Sequence, residues 1–174
     1  PLEVTITGNV DTLTEGIYSI QYSATSASGE VTSINRVINV IARPLIMNCW
    51  TGDADYKAAK INTEGDGYKY NVDWGDGETD SDLTNSITHI YKSTDTYTIT
   101  ISGNLPRLQF ASICSGDRLT IEQWGDIKWQ SMKESFTGFT GTLNLVNASD
   151  TPDLSEVTDM SYMFTDSLGS IPDL

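Results

Sequence analysis

The sequence predicts a mainly β chain with a small α component, in which β-sandwich modules lead into the start of a repeating β/α stack. Three observations carry this reading. From Val4 to Ile101, apolar residues alternate with polar ones in short β-branched and aromatic runs closed by Gly, Asn or Asp, the pattern of half-buried strands. Within that stretch, Asn71-Val72-Asp73-Trp74-Gly75-Asp76-Gly77 precedes Thr88-His89-Ile90-Tyr91 and Thr96-Tyr97-Thr98-Ile99-Thr100. Beyond Gly103 the texture changes, and a stretch recurs at an offset of 28 residues.

Residues 1–43 open with Val4 and Ile6, turn at Gly8-Asn9, and continue with Tyr18, Ile20 and Tyr22 on one face of a strand. Ser28-Gly29-Glu30 makes a turn, and Val31 to Ile41 reads as a long β-branched strand. The runs Gly16 to Tyr22, Ala27-Ser28-Gly29 and Arg36 to Val40 resemble the C-terminal half of a bacterial Ig-like surface domain of the HYR-like or cadherin-like kind. Ser26 stands where such domains often carry an acidic residue. The resemblance implies half a sandwich, with partner strands expected upstream of Pro1 and an edge that is unpaired or packed on the next domain.

Arg43-Pro44 marks the next boundary, because the residue before proline is pushed to extended geometry. Residues 44–103 then hold six or seven strand candidates, enough for a small sandwich. Asp76-Gly77 supplies a tight turn, since Gly takes positive φ freely and Asp bonds its own backbone. The order WGDG, H-x-Y, Y-T-I-T resembles the PKD-domain signature, an immunoglobulin-like sandwich. Asp95 replaces the usual glycine before the last tyrosine, and Asp tolerates the left-handed region better than most residues.

In residues 104–174, Trp129, Met132 and Phe136 fall at helical spacing, and Val157, Met160 and Phe164 repeat the stripe with Asp153 or Ser155 placed as a cap. At the offset of 28, Met132 matches Met160, Phe136 matches Phe164, Thr137 matches Thr165, Gly141 matches Gly169 and Leu143 matches Ile171. One strand and one short helix cannot bury an apolar stripe alone, so such units stack. The run Val157-Thr158-Asp159-Met160-Ser161-Tyr162-Met163-Phe164 resembles the BspA-like leucine-rich-repeat surface proteins. That resemblance implies a leucine-rich-repeat-type β/α solenoid beginning in this segment, with further repeats in a longer parent protein. The start without an initiator Met or signal peptide fits the same expectation of a processed or excised piece.

The chain carries 24 acidic and 10 basic residues, a net charge of −14. The excess is spread along the chain, at −2, −6 and −6 over residues 1–43, 44–103 and 104–174. Nucleic-acid affinity rests on clustered Lys and Arg, so a nucleic acid is excluded as partner. No apolar run reaches the length of a transmembrane segment. Cys49 and Cys114 form no metal-ligand spacing, and the sequence leaves open a disulfide or two buried thiols.

Catalytic chemistry finds no support. His89 is the single histidine, and its place in the H-x-Y strand suits a structural bond to a neighbouring loop. Asp73 and Asp76 flank Trp74 as a carboxylate pair would, but turn and cap roles account for both. Asp76, Glu78, Asp80 and Asp82 alternate through an acidic loop, which reads either as a solvated loop or as a weak extracellular calcium site, with Asp53 and Asp55 as further donors. Trp50, Trp74, Trp124 and Trp129 lie on apolar faces and suit packing better than a sugar platform. Asn147-Ala148-Ser149 fits a glycosylation sequon, which carries no meaning in a bacterial source.

The composite resemblance implies a non-catalytic fragment of a bacterial cell-surface or secreted protein. Spacer modules would present a solenoid for adhesion to an extracellular protein or glycan. The alternative is an accessory region of a secreted polymer-degrading enzyme, because PKD-like modules accompany such enzymes.

Overall fold

Strands form where every second residue is apolar, because successive side chains point to opposite faces of a pleated sheet. The computed structural model describes residues 3–11, 16–52, 57–114, 118–139, 141–145 and 148–167. The chain divides into two compact units, Pro1–Ala42 and Arg43–Leu174.

The first unit is an antiparallel sheet of β1 (Glu3–Thr7), β2 (Gly16–Thr25) and β3 (Val31–Val40), with β2 in the middle. The register sets Ile6 opposite Tyr22, Tyr22 opposite Ile34 and Tyr18 opposite Ile38, so these side chains share one apolar face. That face is open, with Ile6 62% and Ile34 71% exposed.

The second unit contains β4 (Leu45–Trp50), β5 (Ala58–Ile61), β6 (Lys69–Asp73), β7 (Thr79–Leu83), β8 (Ile87–Ile90), β9 (Thr96–Asn104), β10 (Arg118–Gln123) and β11 (Thr142–Asn144). Six of these form one sheet in the order β11-β10-β4-β9-β6-β7, and β5 pairs with β8 in a second sheet. Neighbours run antiparallel except β10 and β11, which are parallel. In β4, Leu45, Met47 and Cys49 are wholly buried while the residues between them are half-exposed. They meet Ala59 and Ile61 of β5, Tyr70 and Val72 of β6, and Leu119 and Ile121 of β10 in a single apolar core. Because β10 pairs with β4, sheet and core run without a break from residues 44–103 into 104–174. A disulfide joins Cys49 to Cys114 across 65 residues, with Cα atoms 5.6 Å apart. It answers the question the sequence left open.

The helices expected at Met132–Phe136 and Met160–Phe164 do not form. The only helix among the described residues is a 3-10 turn at Phe110–Ser112. Instead the chain makes successive tight turns, in which Ser135, Thr137 and Phe139 donate N–H to Met132, Glu134 and Phe136. The same three bonds recur 28 residues later, from Met163, Thr165 and Ser167 to Met160, Tyr162 and Phe164. Left-handed residues interrupt any helical run every four positions, at Glu134 (φ +55°), Gly138 (+71°), Tyr162 (+58°) and Asp166 (+56°). Overlapping turns broken by a left-handed residue every four positions keep the apolar spacing of a helix, which is why the sequence pattern misled. The match of Gly141 and Leu143 to Gly169 and Ile171 lies partly outside the described residues.

These two coils lie side by side. N–H groups of Met132, Glu134, Phe136 and Gly138 donate to the carbonyls of Asp159, Ser161, Met163 and Thr165 at 2.9–3.0 Å. Phe136 stacks on Phe164 with centroids 5.3 Å apart, and on its other side lies Phe110 at 4.8 Å. The three rings form a column, and its first two members are fully buried.

Candidate functional site

Two places merit attention: the acidic turn between β6 and β7, and the open side of the last coil.

In the turn, each carboxylate has a local task. Asp73 accepts the Gly75 N–H at 2.9 Å and Asp76 accepts the Glu78 N–H at 3.0 Å, the side-chain-to-backbone bonds that favour Asp in turns. The Trp74 indole N–H donates to Asp80 at 2.8 Å. His89 Nε2 lies 2.9 Å from the second oxygen of Asp76, and its ring stacks on Trp74 with centroids 4.8 Å apart. The Tyr91 hydroxyl donates to the Trp74 carbonyl at 3.0 Å, and its ring stacks on Tyr97. Asp95 accepts the Thr51 N–H through its own carbonyl at 3.1 Å. The cluster therefore ties the β6–β7 turn to β8 and β9.

Burial alone would raise the Asp76 carboxyl, but the bonds from His89 and the Glu78 N–H hold it below the ordinary carboxylate range. Burial pushes the Tyr70 phenol up to about 12, and that hydroxyl donates to the Asn85 carbonyl at 2.7 Å. This is a locked joint whose polar groups are already engaged.

The four residues read as calcium donors diverge. Asp76 faces His89, Asp80 faces Trp74, Glu78 pairs with Lys92 at 3.2 Å and Asp82 approaches Lys69 at 3.9 Å. No group of three or more His, Cys, Asp or Glu able to hold a metal occurs among the described residues. Asp53, Asp55 and Asn147 lie outside the described residues. Trp74, Trp124 and Trp129 are buried, whereas half-buried Trp50 carries the Arg118 guanidinium 5.3 Å from its ring centroid. The four therefore make no shared platform.

Sequence reasoning missed the open side of the last coil. A cleft of about 370 Å³ there is lined by Trp124, Leu145, Leu154, Met160, Met163 and Phe164 among others. Met132 is fully buried, yet its counterpart Met160 is 47% exposed; Tyr162 is 64% exposed. The offset of 28 was the available signal, since the second copy must show whatever the first covers. Lys128 pairs with Asp153 between the coils, and that pairing holds the Asp153 carboxyl well below the usual range.

Among known families, the one described as bacterial surface protein, Ig-like domain, matches residues 2–40. That segment is similar to an Ig-like surface module. The match spans the sheet β1-β2-β3. No curated protein and no solved structure matches the chain. No helix among the described residues is long and apolar enough to cross a membrane.

Proposed function

We propose that this chain is a non-catalytic part of a bacterial cell-surface or secreted protein, whose spacer modules present a repeat solenoid to an extracellular protein or glycan. The observation that carries the reading is the constant 28-residue offset at which turns, left-handed residues and aromatic rings recur. A stack of this kind sets equivalent side chains at regular intervals along a surface, which suits a large partner better than a small substrate. In this reading residues 44–103 are a PKD-like sandwich and 104–174 begin a BspA-like leucine-rich-repeat-type solenoid. The sandwich, through β4 against β10, then serves as the polar cap that a repeat stack needs at its first end. The saturated joint around Trp74 fits a spacer, because its carboxylates and its histidine are spent on geometry.

Solid-phase binding tests the reading. The chain should bind saturably to at least one member of a panel of immobilised matrix proteins or soluble glycans. Retention only on insoluble chitin or cellulose would overturn it in favour of an accessory region of a depolymerase.

A further inference from the structure

Two links tie the ends of β4 to the part of the chain that follows the sandwich. At its start, the Arg43 N–H and guanidinium both donate to Asp126, at 2.8 and 2.7 Å, and the Asp126 N–H returns to the Arg43 carbonyl at 2.9 Å. The guanidinium also pairs with Asp150 at 3.2 Å, whose carboxylate accepts the N–H groups of Trp124 and Gly125. Gln123 donates to the Pro44 carbonyl at 2.8 Å, and a Cβ on Gly125 would collide with the carbonyls of Arg43 and Pro44. At the other end of β4, Cys49 is bonded to Cys114. Residues 50–113, which hold β5 to β9, are the loop that this disulfide closes.

We infer that the two links make the sandwich a side branch: tension along the chain passes from Arg43 through β4 and the disulfide into residues 114–174, and β5 to β9 carry none of it. The links act in order. Load arriving at Arg43 first meets the clamp, which hands it straight to Asp126 and Asp150. The clamp is noncovalent and exposed, so it yields first, and a covalent bond stands behind it. β4 then takes the load along its own axis. A strand already rises about 3.4 Å per residue, close to the limit of an extended chain, so pulling between Leu45 and Cys49 barely lengthens it. It stays paired with β9, its buried side chains still in the core, while β10, on the loaded side of Cys114, can be drawn off. Without the disulfide, the same tension would run from β4 into β5 and on through β9, with every strand of the sandwich in line. The adhesion reading above supplies the source of the load; the path follows from the bonds alone.

Optical tweezers on the full chain, held by its two ends, test this. Opened completely, the oxidised chain should be about 220 Å shorter than the Cys49→Ala/Cys114→Ala variant, the extended length of the 65-residue separation. Chain reduced with dithiothreitol before tethering makes the same comparison if the variant does not fold. Equal lengths would overturn the side branch. Arg43→Ala should lower the force at which the coils open and leave the full length unchanged; an unchanged force would take the clamp out of the load path. Dithiothreitol added once the coils are open shows whether β4 is still seated in its sheet. With the sandwich folded, further extension needs thiol attack on the disulfide and then unfolding, so its rate should level off as dithiothreitol rises. A rate proportional to dithiothreitol throughout would mean that the sandwich had opened under tension, and would overturn the inference.

Discussion

Gly75 and Gly77 sit in one turn with similar backbone angles, φ +80° and +94°, but their surroundings differ. A Cβ on Gly75 would lie 2.5 Å from the Thr98 carbonyl oxygen, whereas one on Gly77 would meet nothing within 4 Å. Gly77→Ala should therefore cost about 1 kcal/mol of backbone strain, and Gly75→Ala about 3 kcal/mol or more, since β9 must also move. Urea unfolding of the two variants checks the ranking. Asp76 calls for a pH experiment. Its folded pKa is lowered, so its contribution is present above the unfolded value near 4 and is lost as pH falls through the folded value. Asp76→Asn should lower stability by roughly 1–2 kcal/mol at pH 7. The gap to the parent chain should narrow below about pH 4, and unfolding curves at pH 7, 5 and 3.5 would show it. The turn itself was legible in the sequence, because WGDG needs the conformations Gly and Asp supply. The joint was legible in outline, as a structural bond from His89 to a neighbouring loop, but nothing local names Asp76, thirteen residues earlier, as the partner.

Among elements, the disulfide and the aromatic column make separate demands. Cys49 ends near the sandwich core and Cys114 follows the 3-10 turn, so the bridge ties β4 to the connection leading into β10. Closing a loop with a separation of 65 residues is worth about 4 kcal/mol in chain entropy. Replacing both cysteines with alanine should lower unfolding stability on that order, with fluorescence of the buried tryptophans as readout. In the column, Phe136→Ala should cost about 3–5 kcal/mol because the ring is fully buried between two others. Phe164→Ala should cost clearly less, since one side of that ring is open. The acidic strand β7 yields a further expectation: with its carboxylates engaged by separate partners, millimolar calcium should leave the melting temperature unchanged, and a rise of several degrees would contradict that geometry. Strand periods were readable through residues 44–103 except at Thr79–Leu83, which reads as part of an acidic loop and forms β7. The coils were not, because overlapping tight turns and a helix leave the same apolar spacing, and only the left-handed residues distinguish them. Glu134 and Tyr162 give no hint of that conformation by residue type.

For the whole molecule, the alternation of the first 40 residues disclosed a sheet with one apolar face, and the family match at residues 2–40 agrees with the surface Ig-like reading. The continuity of the second unit was hidden. The pairing of β10 with β4 joins residues 70 or more apart, and only the core shared by Leu45, Met47, Leu119 and Ile121 reveals it. The repeat was legible as an offset, but its physical meaning, a ladder running one way from coil to coil, needed the backbone. That ladder is what the proposed function depends on, and amide hydrogen exchange on the unaltered chain measures it directly. The amides of Met132, Glu134, Phe136 and Gly138 should be strongly protected, while those of Met160, Tyr162, Phe164 and Asp166 exchange nearly as freely as exposed loops. Equal exchange at the two rows, whether fast or slow, would contradict the stacked-coil account.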